Sequence, residues 1–121
     1  MFAKDDDEHP VPPELHATFH KIAEAFAAGD YALRNHAIAG VRLVDPSTAD
    51  SIAVAVSAYG ERLAPLHAST WDHAVYRWMG GYWQFLVDLT TDSEEVSDLT
   101  LHVTLRDAEP PTLEIGSVLV P

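Results

Sequence analysis

The hydrophobic periodicity of this sequence changes near residue 73, and this change indicates which kind of fold the chain adopts. Before that point, apolar residues recur every three or four positions, which is typical of amphipathic helices. Beyond it, apolar and polar residues alternate, which is typical of strands with one buried face. Gly80-Gly81 interrupts the alternating region and predicts a tight hairpin turn, because glycine accepts the positive φ angles that such a turn needs. Helices followed by hairpin-connected strands predict an α+β domain.

Two helices are expected in the first half of the chain. The first covers residues 13–28, with an apolar stripe of Leu15, Phe19, Ile22 and Phe26. The second covers residues 46–59, with Asp45 as the N-cap and Pro46 at the first helical position. Residues 31–44 are compatible with a helical turn or with a short strand, and residues 61–66 with another helical turn.

Four strands are expected after the helices, at residues 73–79, 82–90, 98–106 and 112–120. In the last of them, Leu113, Ile115 and Leu119 are expected to face the core. The predicted architecture is two N-terminal helices packed on a four-stranded antiparallel meander sheet. The chain of 121 residues fits a single domain at 13–121. Residues 1–12 are acidic and contain prolines, so we expect a flexible lead-in, with docking onto the domain as the alternative.

The two-glycine turn also predicts which residues lie opposite each other in the hairpin. Trp78 is placed opposite Trp83 and Arg77 opposite Gln84, and His73 is placed opposite Asp88. Because successive side chains alternate between faces, the tryptophans belong to the core face and the polar pairs to the other. That second face is either a solvated sheet surface or a shallow binding surface. The candidate binding residues are His73, Arg77, Tyr82, Gln84, Asp88, Asp98 and His102.

Two pairs of residues are candidates for metal binding or catalysis. His16 and His20 lie four residues apart on the first helix, which is a metal-ligand spacing, but Ala17 stands where the zinc signature HExxH has its glutamate. They are therefore expected to be polar residues at the helix edge, and neither a metal nor another cofactor is expected. His73 opposite Asp88 is either an oriented general base or a cross-strand ion pair. No recognisable nucleophile or phosphate-binding loop accompanies it, so the sequence favours a non-enzymatic protein.

The charge of the chain limits its partners. Seven Lys+Arg against 19 Asp+Glu give a net charge of −12, which argues against binding to nucleic acid or to an anionic membrane. The same charge would attract a basic protein. Cysteine is absent, which excludes disulfides and thiolate chemistry. With neither a signal-peptide pattern nor a membrane-length apolar run, a cytoplasmic location is expected.

Two resemblances add to this interpretation. The segments Tyr82-Trp83-Gln84-Phe85-Leu86-Val87-Asp88-Leu89 and Ser97-Asp98-Leu99-Thr100-Leu101 resemble a family of small bacterial domains with no established activity. Trp83, Asp88, Ser97 and Asp98 are the matching positions. Ala27-Ala28-Gly29-Asp30 after an amphipathic helix is similar to the first helix of nuclear-transport-factor-like α+β cone folds, which often enclose a small-molecule pocket.

Three functions are compatible with these observations. The leading hypothesis is a non-enzymatic interaction module of the immunity or inhibitor type, which binds a basic protein partner. The alternative is a small-molecule pocket between the helices and the curved sheet, with His73, Arg77 and Asp88 as its polar groups. The third is a module that dimerises through a hydrophobic strand edge, and the sequence leaves both monomer and homodimer open.

Overall fold

The computed structural model describes residues 2–121, within which an α+β fold contains two α-helices and seven strands. The helices are α1 (Pro13–Ala27) and α2 (Pro46–Tyr59). The strands are β1 (His9–Pro10), β2 (Leu63–Ala64), β3 (Val75–Trp78), β4 (Tyr82–Asp88), β5 (Thr90–Thr91), β6 (Thr100–Arg106) and β7 (Leu113–Leu119). A 3-10 helix covers Ala68–Asp72. Neither α-helix in this part of the chain is long and apolar enough to cross a membrane.

The main sheet has five strands rather than the four expected. Its order is β1-β3-β4-β6-β7, with every neighbouring pair antiparallel, while β2 and β5 form a separate two-stranded sheet. The additional strand, β1, comes from the N-terminal segment and pairs with β3. The expectation that both helices are N-terminal was also wrong, because β1 precedes α1 and α2 lies in the middle of the chain.

The two helices bury one face each, against the same face of the sheet. Phe19, Ile22 and Phe26 of α1 are buried, as are Ile52 and Val56 of α2. Pro13 starts α1, because its missing N–H needs no partner at the first helical position. In α2 the Asp45 side chain accepts a hydrogen bond from the Thr48 amide, and Gly60 ends the helix at φ +83°.

Capping of α2 predicts a pH-dependent contribution to stability. The Thr48 amide, with the Ser47 and Thr48 hydroxyls, lowers the pKa of Asp45 from 3.8 to about 2. Because the folded-state pKa is depressed, the stabilisation is complete above the ordinary pKa and is lost as the pH falls towards 2. Asp45→Asn keeps an acceptor but does not titrate. We therefore expect the difference in unfolding free energy between wild type and this variant, measured by urea unfolding, to change between the ordinary and the lowered pKa of Asp45 and to stay constant at higher pH. A difference that does not change with pH in that range would contradict the capping role of the Asp45 carboxylate.

The β3–β4 hairpin has the register that the two-glycine turn predicts. Arg77 pairs with Gln84 and Trp78 with Trp83. Of the two turn glycines only Gly80 has a positive φ, of 90°, which corresponds to a turn that needs one left-handed residue rather than two. The sheet face under the helices is buried and includes Tyr76, Trp83, Phe85, Val87, Leu101 and Val103.

A β-bulge in β7 changes which of its residues face the core. His102 pairs with Ser117 and Val103 with Ile115, so Gly116 is an extra residue on β7. One extra residue reverses the alternation of side chains beyond it. Leu119, which we expected in the core, is consequently 50% exposed, whereas Val118 is buried.

Residues 2–11 are docked on the domain. The Phe2 ring packs edge-on against Tyr76 and Phe85, and the Trp83 indole donates a hydrogen bond to the carbonyl of Ala3. Further along the chain, residues 31–44 form turns, and within them Val41 makes a single parallel bridge to Leu113. The helical turn expected at 61–66 instead lies at Ala68–Asp72.

Candidate functional site

The face of the main sheet opposite the helices carries most of the polar residues singled out from the sequence. We call it the outer face and define it by Val75, Arg77, Tyr82, Gln84, Leu86, Asp88, Thr100, His102, Thr104, Arg106, Glu114 and Ser117. Strand pairing and alternation place these side chains together. Both helices lie on the other face, where Phe19 of α1 packs 5.9 Å from Phe85.

At one end of the outer face, two arginines form ion pairs with the same carboxylate, that of Glu114. The Arg106 guanidinium lies 2.8 Å from Glu114, and Arg42, from the loop before α2, lies 3.1 Å from it. Arg77, on β3, is exposed and pairs with Gln84. The positive charges of Arg77 and Arg106 on the outer face therefore balance its two carboxylates, Asp88 and Glu114.

His102 lies near the middle of the outer face, next to Leu86 and Ser117. Neighbouring side chains shield its Nε2 atom, which has no hydrogen-bond partner among the described residues. Burial lowers the pKa of the imidazole from its ordinary 6.5, so the ring is mainly neutral at pH 7. A buried, unpartnered nitrogen costs stability unless another group satisfies it.

The predicted pairing of His73 with Asp88 was wrong. β3 begins only at Val75, because the 3-10 helix Ala68–Asp72 precedes it and His73 forms its exposed C-terminal cap. Asp88 instead accepts a 2.7 Å hydrogen bond from the Thr100 hydroxyl. The described residues therefore hold no oriented histidine–aspartate pair at this position.

Asp98 lies beyond the end of the outer face, beside an open cleft of about 340 Å3. Asp88, Ser97 and Thr100 also line this cleft. The Asp98 side chain is exposed, and its amide donates to the Tyr59 hydroxyl, which in turn donates to Glu94 at 2.8 Å. The turn before β6 is thus attached to the end of α2.

Ser97 has a structural role that the sequence analysis did not identify. Its buried hydroxyl donates to the carbonyl of Leu89 at 2.6 Å and accepts from the amide of Leu99 at 3.1 Å. The Thr70 hydroxyl similarly donates to the Asp88 carbonyl at 2.6 Å. These hydroxyls satisfy backbone groups where β4 leaves the main sheet. The only available signal was the position of Ser97 at the start of an apolar strand, which is not specific.

His16 and His20 pack around Trp71. The His16 ring stacks on the indole at 3.8 Å and its Nε2 is 3.1 Å from the Val11 carbonyl. The His20 ring meets the same indole edge-on at 5.7 Å. Within residues 2–121, no group of three or more His, Cys, Asp or Glu side chains is arranged to hold a metal ion.

Side chains fill the space between the helices and the sheet, where the alternative hypothesis placed a pocket. Phe19, Ile22 and Phe85 are completely buried there. An open cleft of about 430 Å3 lies instead where the C-terminal ends of α1 and α2 meet, lined in part by Phe26, Tyr31 and Arg62. None of His73, Arg77 and Asp88 lines this cleft.

Comparison with known proteins gives one match. Residues 23–121 match the family model described as a domain of unknown function, DUF7668. The matched region contains α2 and the whole outer face. No curated protein and no solved structure matches the chain, so the likeness to nuclear-transport-factor-like folds receives no support.

Proposed function

We propose that this chain, which belongs to the DUF7668 family, is a non-enzymatic protein-interaction module of the inhibitor type. The outer face is the binding surface, and the partner is a basic protein. The observation that carries this proposal is that a five-stranded sheet has one face covered by helices and one face that no helix of residues 2–121 covers.

The composition of the outer face supports a protein ligand. Half-buried Val75, Tyr82 and Leu86 lie among charged Arg77 and Arg106. Protein interfaces typically combine apolar and aromatic contacts with arginine in this way. The clefts beside Arg77, Arg106 and Asp88 lie at the margins of this face and are open to solvent, which suits another protein better than a small molecule.

The charge of the whole molecule supports a basic partner. The outer face is itself balanced, whereas the chain carries a net charge of −12. Long-range attraction to a basic protein would therefore accelerate association, and the contacts of the neutral face would supply the affinity. The same charge repels nucleic acids and anionic membranes.

The small-molecule hypothesis has less support. The cleft at the helix ends is open to solvent, and the three polar groups expected in a pocket lie elsewhere. With His73 exposed at the end of a 3-10 helix and Asp88 bonded to Thr100, no acid–base pair of the kind expected remains. We therefore favour the interaction module.

A charge reversal on the outer face tests the proposal. The immobilised protein would first be used to capture its partner from an extract of the cells that produce it. The Kd of the complex between this protein and the purified partner would then be measured. Arg77→Glu makes the chain more acidic, which strengthens long-range attraction to a basic partner. It should nevertheless weaken binding about tenfold or more, because it replaces a positive contact residue of the interface with a negative one. Arg34→Glu makes the same charge change at an exposed residue away from the face and should not weaken binding.

Binding of the wild type should also weaken as salt concentration rises. Equal Kd values for Arg77→Glu and wild type, or an affinity that does not respond to salt, would contradict the proposal.

A further inference from the structure

Residues 2–4 lie in a groove formed mainly by aromatic side chains of β3 and β4. We call it the aromatic groove and define it by Tyr76, Trp78, Trp83, Phe85 and Asp107. The Phe2 ring packs edge-on against Tyr76 and Phe85, at centroid distances of 5.4 and 5.7 Å. Phe2 is therefore the apolar anchor of the segment.

The backbone of the middle residue, Ala3, is held from two sides. Its amide donates to the Tyr76 hydroxyl at 2.9 Å, and its carbonyl accepts from the Trp83 indole at 2.8 Å. Tyr76 and Trp83 are only 6% and 2% exposed, and within residues 2–121 these two polar atoms bond to Ala3 alone. Because buried polar groups need partners, the groove requires an extended segment. Because both bonds go to backbone atoms, they do not select the side chain at this position.

The third residue, Lys4, is held through its positive charge. Its ammonium group lies 5.1 Å from the ring centroid of Trp78 and 5.5 Å from that of Trp83. The same group forms a 2.6 Å ion pair with the Asp107 carboxylate. Cation–π attraction and an ion pair thus act on one charge. The contacts of the groove consequently fit a pattern of a large apolar residue, any residue, and then a lysine or arginine.

An exposed connection joins residues 2–4 to the rest of the domain. Residues 5–8 are all exposed, and within residues 2–121 their hydrogen bonds stay inside residues 5–9. β1 begins only at His9, where it pairs with β3. Residues 2–4 can therefore leave the groove while β1 stays in the sheet. A ligand tethered in this way competes with external ligands at an effective concentration that its connection sets.

We propose that the aromatic groove binds an extended segment of a basic protein, and that residues 2–4 occupy it as a displaceable internal ligand. The incoming segment has a large apolar residue where Phe2 lies and a lysine or arginine where Lys4 lies. The net charge of −12 attracts such a segment, and Asp107 is placed to pair with its cation. An open cleft of about 520 Å3 begins at Trp78 and follows the β3–β4 turn, with room for the residues after the cation.

This inference does not rest on the function proposed for the outer face. Tyr76, Trp83 and Phe85 belong to the sheet face under the helices, so the two surfaces are separate. A synthetic peptide, acetyl-Phe-Ala-Lys-Gly-Gly-amide, tests the groove directly. The indole N–H resonance of Trp83 in NMR spectra reports its occupation, because this N–H donates to Ala3 when the groove is filled internally.

Phe2→Ser removes the anchor of the internal ligand. We expect this variant to bind the peptide about tenfold more tightly than the wild type does, because the internal segment no longer competes. Phe2→Leu keeps an apolar anchor and should bind the peptide as weakly as the wild type. A peptide of reversed order, acetyl-Lys-Ala-Phe-Gly-Gly-amide, has the same charge and should bind to Phe2→Ser at least about tenfold more weakly than the first peptide.

Lys4→Glu opens the groove without changing any core residue. It places a carboxylate beside Asp107, so the segment is repelled and the affinity for the peptide should again rise about tenfold. Lys21→Glu makes the same change of charge at an exposed residue of α1 away from the groove. It attracts a cationic peptide equally at long range, but its affinity should stay near that of the wild type.

Hydrogen exchange of the wild type provides a test that needs no variant. The indole proton of Trp83 should exchange faster than the amides of β4, because release of residues 2–4 exposes it without unfolding the sheet. An indole proton as slow as these amides would overturn the proposal. Equal peptide affinities for the opened variants and their controls, or for the two peptides, would also overturn it. So would a wild-type dimer that Phe2→Ser dissociates, since the occupant would then be a second copy.

Discussion

Replacing Phe85 with alanine is expected to lower the free energy of unfolding by about 3–5 kcal/mol. Phe85 is completely buried at the centre of the sheet face that the helices cover. The centroid of its ring lies 5.3 Å from that of Tyr76, 5.7 Å from that of Phe2 and 5.9 Å from that of Phe19. Truncation removes these contacts and leaves a cavity between the sheet, α1 and the docked N-terminal segment, which cannot all collapse to fill it. Urea or guanidinium unfolding monitored by circular dichroism would measure the loss.

Gln84→Ala is the matched control for Phe85→Ala. Gln84 precedes Phe85 on β4, but its half-buried side chain points to the outer face. Its truncation should cost less than about 1 kcal/mol, because no core contact is lost. Comparable losses for the two variants would mean that the assignment of the two faces is wrong, and with it the proposed binding surface.

Replacing Ser97 with alanine is expected to cost about 1–3 kcal/mol of unfolding free energy. The hydroxyl bonds two backbone groups, the carbonyl of Leu89 and the amide of Leu99, and both residues are buried. The Leu89 carbonyl still accepts from the Ser97 amide at 2.9 Å, but the Leu99 amide loses the acceptor that Ser97 supplies. Thermal or chemical unfolding would measure the effect, and hydrogen exchange should report faster opening at Leu99.

Ser93→Ala serves as the control for Ser97→Ala. Ser93 is an exposed serine in the turn after β5, and its side-chain hydroxyl makes one hydrogen bond within residues 2–121, at 3.4 Å to the Thr91 hydroxyl. Its replacement should change stability by less than about 0.5 kcal/mol. If Ser97→Ala is no less stable than Ser93→Ala, the hydroxyl network does not hold the end of β4 in the way described.

The hairpin shows why part of the candidate site could be predicted. Register in a two-residue hairpin is local, because the turn residues set it and each further pair follows from the last. Arg77 and Gln84 were therefore placed correctly, and alternation along β6 brought His102 to the same face. His73 was misplaced because this extrapolation assumed that β3 reached back to residue 73, and a 3-10 helix occupies the residues before it.

Interactions between residues close in the chain specify the positions of α1 and α2, the α+β class and the hairpin register, and composition specifies the balance of charge, so all four could be predicted from the sequence. The other features depend on contacts between distant parts of the chain. Strand β1 forms because a distant strand offers it an edge, and the bulge at Gly116 turns Leu119 outwards through pairing with β6. Ser97 acts through Leu89, eight residues away, and His16 stacks on Trp71, far along the chain. Contacts between residues distant in sequence depend on how whole helices and strands pack, and short-range hydrophobic patterns do not specify that packing.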